Sequence, residues 1–530
     1  PARRRNVSQN VRTRNVVTVS AQPALIESLE TRTHLSVSKD AAGFTVVTPG
    51  SGTQVFYVSP NGSDSNSGTS ASSPLKTIAK GVSKLRAGAG DQLLLQRGAS
   101  FSGTFGLFSK SGASSSQPTV LGAYGAGARP VITSGSEQAF SIGNRGGVSN
   151  VIVQGLKMQP GSGTGNVNGV AIIGKASNIT FEDCEITRYT NNVVLQKYFG
   201  DVSNITLRRD VITDAYSRGG NSEGLFAEGV TGLTLEENVF DHNGWGNGRA
   251  QTTFNHGAYV RASTSGLVAR GNVFSNSSSH GLQARGGGVV ENNVFIDNPT
   301  GMSFGLVNGS PVTPGGVGGR VTNNVFFGTK NIGGQTRGTA IEIGNVKRGG
   351  TTVSGNVIAN GVSTTKLPAI QLTWGSGNDN ASTAVGINDL TLSNNVVYNW
   401  SSALWVVAGQ APGSGQRALN NLKVTNNQFQ NIATAGAIVP GATAGTYSGN
   451  LYTTQVYNKA AKNTGATNVK VSYADPTRTP GKAVGGTNAT FVSLARQQGK
   501  ANWKTNLLAA SIVSYVKGGF TATGTTAVKR

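Results

Sequence analysis

Short apolar runs separated by polar turns repeat along most of the chain, and one phrase recurs among them. An apolar strand is followed by Asn and an apolar pair, as in ENVF at 237–240, GNVF at 271–274 and NNVF at 292–295. Later copies are NNVF (323–326), GNVI (355–358), NNVV (394–397), NNQF (426–429) and GNLY (449–452). The intervals fall mostly in the twenties and thirties of residues, a range typical of solenoids. The pattern predicts an all-β chain in which each coil of a parallel β-helix contributes short stacked strands.

The asparagines of this phrase hold the same place in each coil. Stacked side-chain amides can bond to one another along the axis of a stacked parallel sheet. We therefore expect an internal ladder made of Asn238, Asn272, Asn293, Asn324, Asn356, Asn395 and Asn427.

A second repeat aligns five hexapeptides: EGLFAE (223–228), HGAYVR (256–261), HGLQAR (280–285), TGMSFG (300–305) and TAIEIG (339–344). The third and fifth places are apolar in every copy, so strand alternation turns them inward and the fourth and sixth places outward. The second place is Gly in four copies, which predicts an outward column of nearly bare backbone.

Helical spacing is confined to two places. Leu75, Ile78, Val82 and Leu85 in LKTIAKGVSKLRAG predict a helix that caps the first coils. The stretch 491–520 predicts one or two helices that pack back on the frame or form a small module. The predicted domains are a basic segment over 1–40, a β-helix over 41–455 and a C-terminal extension with helices over 456–530.

Composition narrows the class of protein. Gly accounts for 75 of 530 residues and charged residues for 13%, which suits strands and turns better than helices. The single Cys184 excludes an intrachain disulfide framework. No apolar run is long enough for a transmembrane helix, so we expect no membrane span.

The formal net charge of +22 and a pI of about 10.2 indicate an anionic partner. The basic residues are spread along the chain and form no nucleic-acid motif. We therefore expect an anionic polysaccharide rather than nucleic acid as the partner, and a monomeric chain.

The segment 1–40 begins PARRRNVSQNVRTRN and is basic, polar and free of the repeat, which is typical of a disordered segment. Within it, Leu29-Glu30-Thr31-Arg32 followed by Leu35-Ser36 resembles the LE-x-R-x-LLS element of some bacterial exported and cell-surface proteins. His34 stands where that element has its first Leu. A plain disordered arm and an export element stay open, and the second implies an extracellular or cell-surface location.

The stretch 56–98, with its phrase YVSPNGSDSNSGT followed by Pro and TI, resembles the entry module of right-handed parallel β-helix proteins. Polysaccharide lyases and related exported carbohydrate-active proteins share that module. Together with the repeats, the resemblance covers roughly residues 55–455. It implies the fold strongly and the reaction weakly, because such helices host lyases, hydrolases, epimerases and binding proteins.

Two hexapeptides place His, Gly and Arg at the same phase in a chain with only four histidines. Residues at equal phase in adjacent coils are neighbours, so a cluster is expected on one outward face. We expect four catalytic residues: His256, His280, Tyr259 and Arg285. Around them we expect a substrate-binding set, in part from the loop FDHNGW (240–245): Arg261, Gln283, Glu342, Asp241, His242, Glu223, Glu228 and Trp245.

The chemistry of this set suits β-elimination of a uronate-containing polysaccharide. Paired arginines can neutralise the uronate carboxylate, and a histidine can accept the C5 proton near neutral pH. A tyrosine can donate a proton to the leaving oxygen, and a bare Gly column would let a sugar ring approach the sheet.

Two other functions stay open on the sequence alone. A glycoside hydrolase would use two carboxylates drawn from Glu223, Glu228, Asp241 and Glu342. A non-catalytic surface protein would only hold anionic glycans on a basic face. Ca²⁺ is possible as a cofactor, but the acidic residues do not form a recognisable all-oxygen cage.

Overall fold

The repeats form three parallel sheets in a computed structural model of the chain. It describes residues 37–528 apart from 145, 163–165, 307–310, 362–366, 375–384, 409–418, 434–436, 439–444, 454–462 and 465–466. Each coil passes once through each sheet, and strands of equal phase pair in parallel, one coil to the next. The chain is therefore the right-handed parallel β-helix that the sequence predicts.

Sheet 1 carries the hexapeptides. Two long strands, Asn168–Glu182 and Asn191–Arg208, run through it and continue into sheet 2. Its strands are Phe140–Ile142, those two, Glu223–Glu228, His256–Val260, His280–Ala284, Thr300–Phe304, Thr339–Ile343, Pro368–Trp374, Ser402–Ala408 and Ala437–Ile438.

Sheet 2 begins the β-helix. Its strands are Val55–Val58, Gln92–Gln96, Thr119–Tyr124, Val148–Gln154, the two shared strands, Val230–Glu236, Ser265–Arg270, Gly288–Glu291, Val317–Thr322, Val346–Ser354, Leu390–Ser393, Leu422–Thr425, Gly445–Ser448 and Asn463–Thr464. The short strands Ile387–Asn388 and Leu419–Asn420 pair in line with Val346.

Sheet 3 carries the apolar pairs that follow the repeated Asn. Its strands are Ser100–Ser102, Val131–Thr133, Lys157–Gln159, Glu185–Thr187, Val211–Thr213, Val239–Asp241, Val273–Ser275, Val294–Asn298, Val325–Thr329, Val357–Ala359, Val396–Trp400, Gln428–Ile432, Leu451–Tyr452 and Thr467–Tyr473. The strand Ala522–Ala527 pairs antiparallel with the last of these.

The predicted asparagine ladder is confirmed. From Asn238 to Asn427, each side-chain Nδ2 donates to the Oδ1 of the next asparagine at 2.9–3.0 Å. The same Nδ2 also donates to a main-chain carbonyl, as Asn293 does to Ala269 at 2.9 Å. The ladder extends one step beyond the predicted set, to Asn450.

Asp210 takes the next place at the other end of the ladder. Its main-chain N–H donates to Asn238 Oδ1 at 2.9 Å, and its own Oδ1 accepts from the Cys184 N–H at 2.7 Å. Burial raises the pKa of Asp210 well above its usual value. A protonated carboxyl group supplies one O–H donor where an asparagine amide has two N–H donors, and Asp210 Oδ2 has no hydrogen-bond partner among the described residues.

A stack of aromatic rings runs beside the ladder inside the helix. Phe240, Phe274, Phe295 and Phe326 follow one another in adjacent coils, with ring centroids 5.0, 5.0 and 4.5 Å apart and nearly parallel planes. These spacings match the strand repeat of about 4.8 Å. Sequence repetition therefore becomes a continuous core in which each coil packs on identical neighbours.

The N-terminal boundary differs from the predicted one. Val37–Lys39 forms an antiparallel hairpin with Thr45–Val47. Asp40 pairs with Lys500, with 2.8 Å between the carboxylate oxygen and Nζ. Residues 37–40 belong to the folded chain because backbone pairing and an ion pair hold them, whereas residues 1–36 of the predicted segment lie outside the described residues.

The predicted capping helix is present as α1 (Ile78–Lys84), which begins at the N-cap Thr77. Leu75, Ile78 and Leu85 are buried in the same core as the first strands. A side chain at Gly81 would collide with Leu93, so the helix packs closely on the second strand of sheet 2.

The C-terminal prediction also holds in its main point. Two helices, α2 (Asn488–Arg496) and α3 (Ala509–Gly519), pack on the outer side of sheet 3. Short 3₁₀ turns stand at Lys482–Val484, Lys500–Asn502 and Thr505–Leu507. The predicted boundary at 455 is too early, because Asn463–Thr464 and Thr467–Tyr473 still pair with the β-helix.

The ladder should be a measurable source of stability. We predict that Asn293→Ala lowers the free energy of unfolding by roughly 2–6 kcal/mol, since two buried donors of Asn272 lose their acceptor at about 1–3 kcal/mol each. Urea-induced unfolding measures this. The exposed Asn61→Ala variant is the control and should change stability by less than about 0.5 kcal/mol. Equal effects of the two substitutions would contradict a stabilising ladder.

Candidate active site

The five hexapeptides stack in register in sheet 1, as their phases predict. Glu223 pairs with His256, Tyr259 with Gln283, Gln283 with Ser303 and Ser303 with Glu342. The third and fifth places are all completely buried in the core, as the alternation of the strands predicts: Leu225, Ala227, Ala258, Val260, Leu282, Ala284, Met302, Phe304, Ile341 and Ile343.

The glycine column has a different role from the predicted one. A Cβ at Gly257 would stand 2.5 Å from the carbonyl oxygen of Gly281 and 2.6 Å from the hydroxyl of Ser277. At Gly224 it would meet the Gly257 carbonyl oxygen at 2.4 Å. The column is buried against the next coil, so glycine is required for backbone packing and does not form an open floor for a sugar ring.

A chain of hydrogen bonds runs from Arg285 to Glu342. Arg285 Nε donates to Gln283 Oε1 at 2.9 Å, and Gln283 Nε2 lies 3.2 Å from His280 Nδ1. His280 Nε2 lies 3.1 Å from Glu342 Oε2. Because the guanidinium can only donate, it turns the amide nitrogen of Gln283 toward the imidazole. His280 Nδ1 is then the acceptor, and its proton resides on Nε2, facing Glu342.

Glu342 is the end of this chain that reaches the surface. Its side chain is 19% exposed, against 8% for His280. Between their two coils lies the coil of Thr300 and Ser303, whose short side chains let the longer ones meet above them. The hydroxyls of Thr300, Ser303 and Thr339 are buried there without a hydrogen-bond partner among the described residues.

His256 lies below the surface, only 2% exposed. Its Nδ1 accepts from the main-chain N–H of His280 at 3.4 Å, and its ring packs on His280 and Tyr259 with centroids 5.0 and 5.2 Å away. Burial, together with the charges of His280 and Arg285, holds the pKa of His256 well below its usual value. His256 is therefore neutral near pH 7.

Tyr259 links the histidines to the arginines. The Arg285 guanidinium lies over its ring, 4.6 Å from the centroid, and Phe226 contacts its other side at 5.5 Å. Burial raises the pKa of Tyr259, although Arg285 and Arg261 act against the rise. The phenol therefore keeps its proton at neutral pH.

Two glutamates of the first hexapeptide complete the cluster. Glu223 is buried and accepts the main-chain N–H of His256 at 2.5 Å. Burial raises the pKa of Glu223 well above its usual value, against the opposing effects of that hydrogen bond and of Arg285. Glu228 is partly exposed and lies 3.1 Å from Arg261, while Gln196 donates to its other oxygen.

The loop residues Asp241, His242 and Trp245 belong to a second cluster. Asp241 ends a strand of sheet 3 and pairs with Arg496 of α2 at 2.7 Å. His242 Nδ1 lies 3.2 Å from Asp214 Oδ1, and the His242 ring packs on Trp245 at 4.0 Å. Within the described part of the chain, these contacts join the β-helix to the C-terminal helices and include none with His256 or His280.

The sequence missed the residues that complete both clusters. Arg496 could not be found because its separation from Asp241 along the chain is 255. Ser303 stood in the aligned fourth place, so its outward direction was readable, but nothing in the sequence shows that its hydroxyl would be buried. No group of three or more metal-ligating His, Cys, Asp or Glu side chains occurs among the described residues.

Burial also changes what substitutions should do. Outward residues of a sheet can ordinarily be replaced with little loss of stability, because no core cavity is left. Four of these outward residues are instead buried, namely His256, His280, Gln283 and Arg285. Their hydrogen bonds to one another draw them onto the sheet. Replacing any one leaves a buried polar partner unsatisfied, which costs about 1–3 kcal/mol.

We predict that His256 makes stability pH-dependent. Its pKa is lower in the folded chain than the unfolded value of about 6.5, so the unfolded chain binds more protons below that pH. Wild-type stability relative to His256→Gln should therefore fall as the pH is lowered from about 7 to about 5, because only the unfolded chain gains a proton at this position. Urea unfolding across this range measures the difference, and a constant difference would contradict the assignment.

Glu223 supplies the control of opposite sign. Its pKa is raised in the folded chain, so wild-type stability relative to Glu223→Gln should fall as the pH rises above about 4.5. The two variants should therefore show opposite slopes in the same titration.

None of the described helices is long and apolar enough to cross a membrane. No family model matches the chain, and no curated protein matches it. Among solved structures it is similar to pectate lyase Pel9A, with 17% identity, a TM-score of 0.38 and coverage of 76% of this chain and 80% of that one.

Two further solved structures are similar to the chain. A rhamnogalacturonan lyase is 16% identical, with a TM-score of 0.39 and coverage of 71% of this chain and 87% of that one. The A-module of the mannuronan C-5 epimerase AlgE4 of Azotobacter vinelandii is 14% identical, with a TM-score of 0.41 and coverage of 71% and 91%. At these identities the likeness concerns the fold alone.

Proposed function

We propose that the chain is a carbohydrate-active enzyme that cleaves an acidic polysaccharide by β-elimination on the outer side of sheet 1. The observation that carries this proposal is the hydrogen-bond chain Arg285–Gln283–His280–Glu342 beside the protonated phenol of Tyr259. It brings a cation, a carboxylate held by an imidazole, and a neutral acid together within a few coils.

In the proposed step, the guanidinium groups of Arg285 and Arg261 face the carboxylate of a uronate residue and stabilise the negative charge that develops on it. Glu342, oriented by His280, accepts the proton from C5. The electron pair of that C–H bond forms the C4=C5 double bond as the C4–O bond breaks. Tyr259 donates its proton to the departing oxygen and regains one from water.

The roles of His256, His280 and Glu342 differ from those predicted from the sequence. His256 was predicted to be catalytic, but it is nearly inaccessible and neutral, and it contacts His280 and Tyr259. We assign it a positioning role. Tyr259 and Arg285 stay in the catalytic set, and Glu342 moves from substrate binding to proton transfer. His280 orients Glu342 and does not itself accept the proton.

The positions of the carboxylates favour elimination over hydrolysis. Glu228 is held in an ion pair with Arg261 and accepts a hydrogen bond from Gln196. Asp214 and Asp241 lie in adjacent coils, but both are engaged by Arg496.

The first experiment is activity on polygalacturonate, alginate and hyaluronate. The expected result is ultraviolet absorbance from the unsaturated uronate formed on one of them. Glu342→Gln should lower kcat by about 10²–10⁴, the usual contribution of a positioned base. The matched control is Glu291→Gln, which removes a carboxylate from an ion pair with Arg320 on sheet 2 and should leave activity unchanged. Saturated products from all three polymers, or equal effects of the two substitutions, would exclude this mechanism.

Tyr259→Phe tests the acid. The substitution keeps the ring that packs on Arg285 and His256 and removes only the hydroxyl group. We expect kcat to fall by about 10²–10⁴ while KM changes little, because the phenol acts only as the bond breaks. A change in KM with unchanged kcat would assign Tyr259 to substrate binding instead.

A further inference from the structure

Two adjacent aromatic side chains stand exposed at the edge of sheet 1. Tyr198 is 68% exposed and Phe199 is 50% exposed, and their rings contact edge to face with centroids 4.6 Å apart. Adjacent exposed aromatic rings are unusual on a soluble surface, and a paired patch of this kind marks a binding site more often than a lone side chain does.

A distortion of the strand directs these rings to solvent. In the pairing of Asn191–Arg208 with Asn168–Glu182, Leu195 pairs with Ile172 and Phe199 pairs with Gly174. Three residues, 196–198, thus oppose Ile173 alone. Such bulges re-aim side chains and occur next to functional sites. The chain could have kept regular pairing here, as it does between Ile205–Arg208 and Ile179–Glu182.

Two lysines flank the aromatic pair. Lys197 and Lys175 are both exposed, and both lie near Asp201. Lys197 Nζ is 2.6 Å from the carboxylate of Asp201. The pKa of Asp201 is lowered mainly by Lys197 and to a lesser extent by the charge of Lys175. The local balance of two ammonium groups to one carboxylate is positive. An exposed ring offers a surface for the C–H face of a sugar, and an ammonium group attracts a carboxylate.

The patch is continuous with the proposed active site. Gln196, next to Lys197, donates to Glu228, and Glu228 pairs with Arg261, whose counterpart in the next coil is Arg285. The distance from the coil of Gln196 to that of Arg285 is three coils, roughly 14 Å at about 4.8 Å per coil. A polymer held at both places would lie along the outer side of sheet 1.

We propose that Tyr198, Phe199, Lys175 and Lys197 form a secondary binding subsite for the same acidic polysaccharide, on the N-terminal side of the catalytic cluster. This inference rests on the proposed function for its ligand. The rings stack on sugar residues that are not cleaved, and the lysines select chains that carry carboxylates.

Binding is tested by isothermal titration of the Glu342→Gln variant with polygalacturonate, alginate and hyaluronate, and with carboxyl-reduced forms of each. The double substitution Tyr198→Ser with Phe199→Ser, added to this variant, should weaken the affinity about tenfold for whichever acidic polymer binds. The aromatic control is Phe254→Ser, which removes a ring of equal exposure, 68%, from the loop before His256 and should leave the affinity unchanged.

The lysine arm uses Lys175→Gln with Lys197→Gln. We expect the double lysine substitution to weaken binding at low salt. Added salt should then weaken binding less than it does with both lysines present, because the two ammonium charges that salt would screen are gone. The carboxyl-reduced polymers should bind weakly and respond little to the lysine substitutions. Equal binding of acidic and reduced polymers would overturn the selection by charge. Equal losses of affinity from the double substitution and from Phe254→Ser would overturn the subsite.

Failure of the subsite and failure of the lyase can be told apart. If the wild type forms unsaturated product and the double substitution leaves the affinity unchanged, the subsite proposal is wrong and the lyase proposal stands. If the double substitution weakens binding but no polymer yields unsaturated product, the subsite proposal stands and the lyase proposal is wrong. The absence of binding to all three polymers would overturn the subsite. A dimer in analytical ultracentrifugation that dissociates only on the double substitution of Tyr198 and Phe199 would also overturn it, because the rings would then form a subunit contact.

Discussion

The constant distance from coil to coil is the constraint on which this structure depends. Strand pairing sets it at about 4.8 Å, and the buried amide ladder from Asn238 to Asn450 holds it through eight coils. An amide can bond to the next one only if every coil keeps the same phase. Loop lengths can therefore vary widely between coils while the residues of sheet 1 stay in register.

This register also explains how charged groups come to be buried together. Isolated burial of His280, Arg285 and Glu223 would be costly, since each loses hydration. Each has a partner: Gln283, two residues earlier in the same coil, for Arg285, Glu342, two coils on, for His280, and the N–H of His256, one coil on, for Glu223. The pKa changes at His256 and Glu223 both favour the neutral form, so the cluster holds fewer charges than its composition implies.

What the sequence could predict follows from what repetition encodes. The asparagine phrase and the hexapeptide phases were sufficient for the parallel β-helix, the ladder and the convergence of His256, His280, Tyr259 and Arg285. The predicted open glycine column was wrong. The alternation of a strand shows which side of the sheet a residue faces, but not how closely the next coil packs against it. Residues brought together from outside the repeat, such as Arg496 beside Asp241, carry no periodic signal at all.

The cluster lies in a stretch where the length of the coils changes. The sequence separation between stacked positions is 33 from Glu223 to His256 but only 24 from His256 to His280. The step from His280 to Thr300 is shorter still, and the step from Thr300 to Thr339 is long again. The two histidine coils are thus short coils between longer ones, and their outward polar side chains are buried in contact with one another. That burial lowers the local dielectric and strengthens the bonds of the Arg285–Glu342 chain. The side chains at the outward places of adjacent coils therefore make one stretch of a uniform helix chemically distinct from the rest.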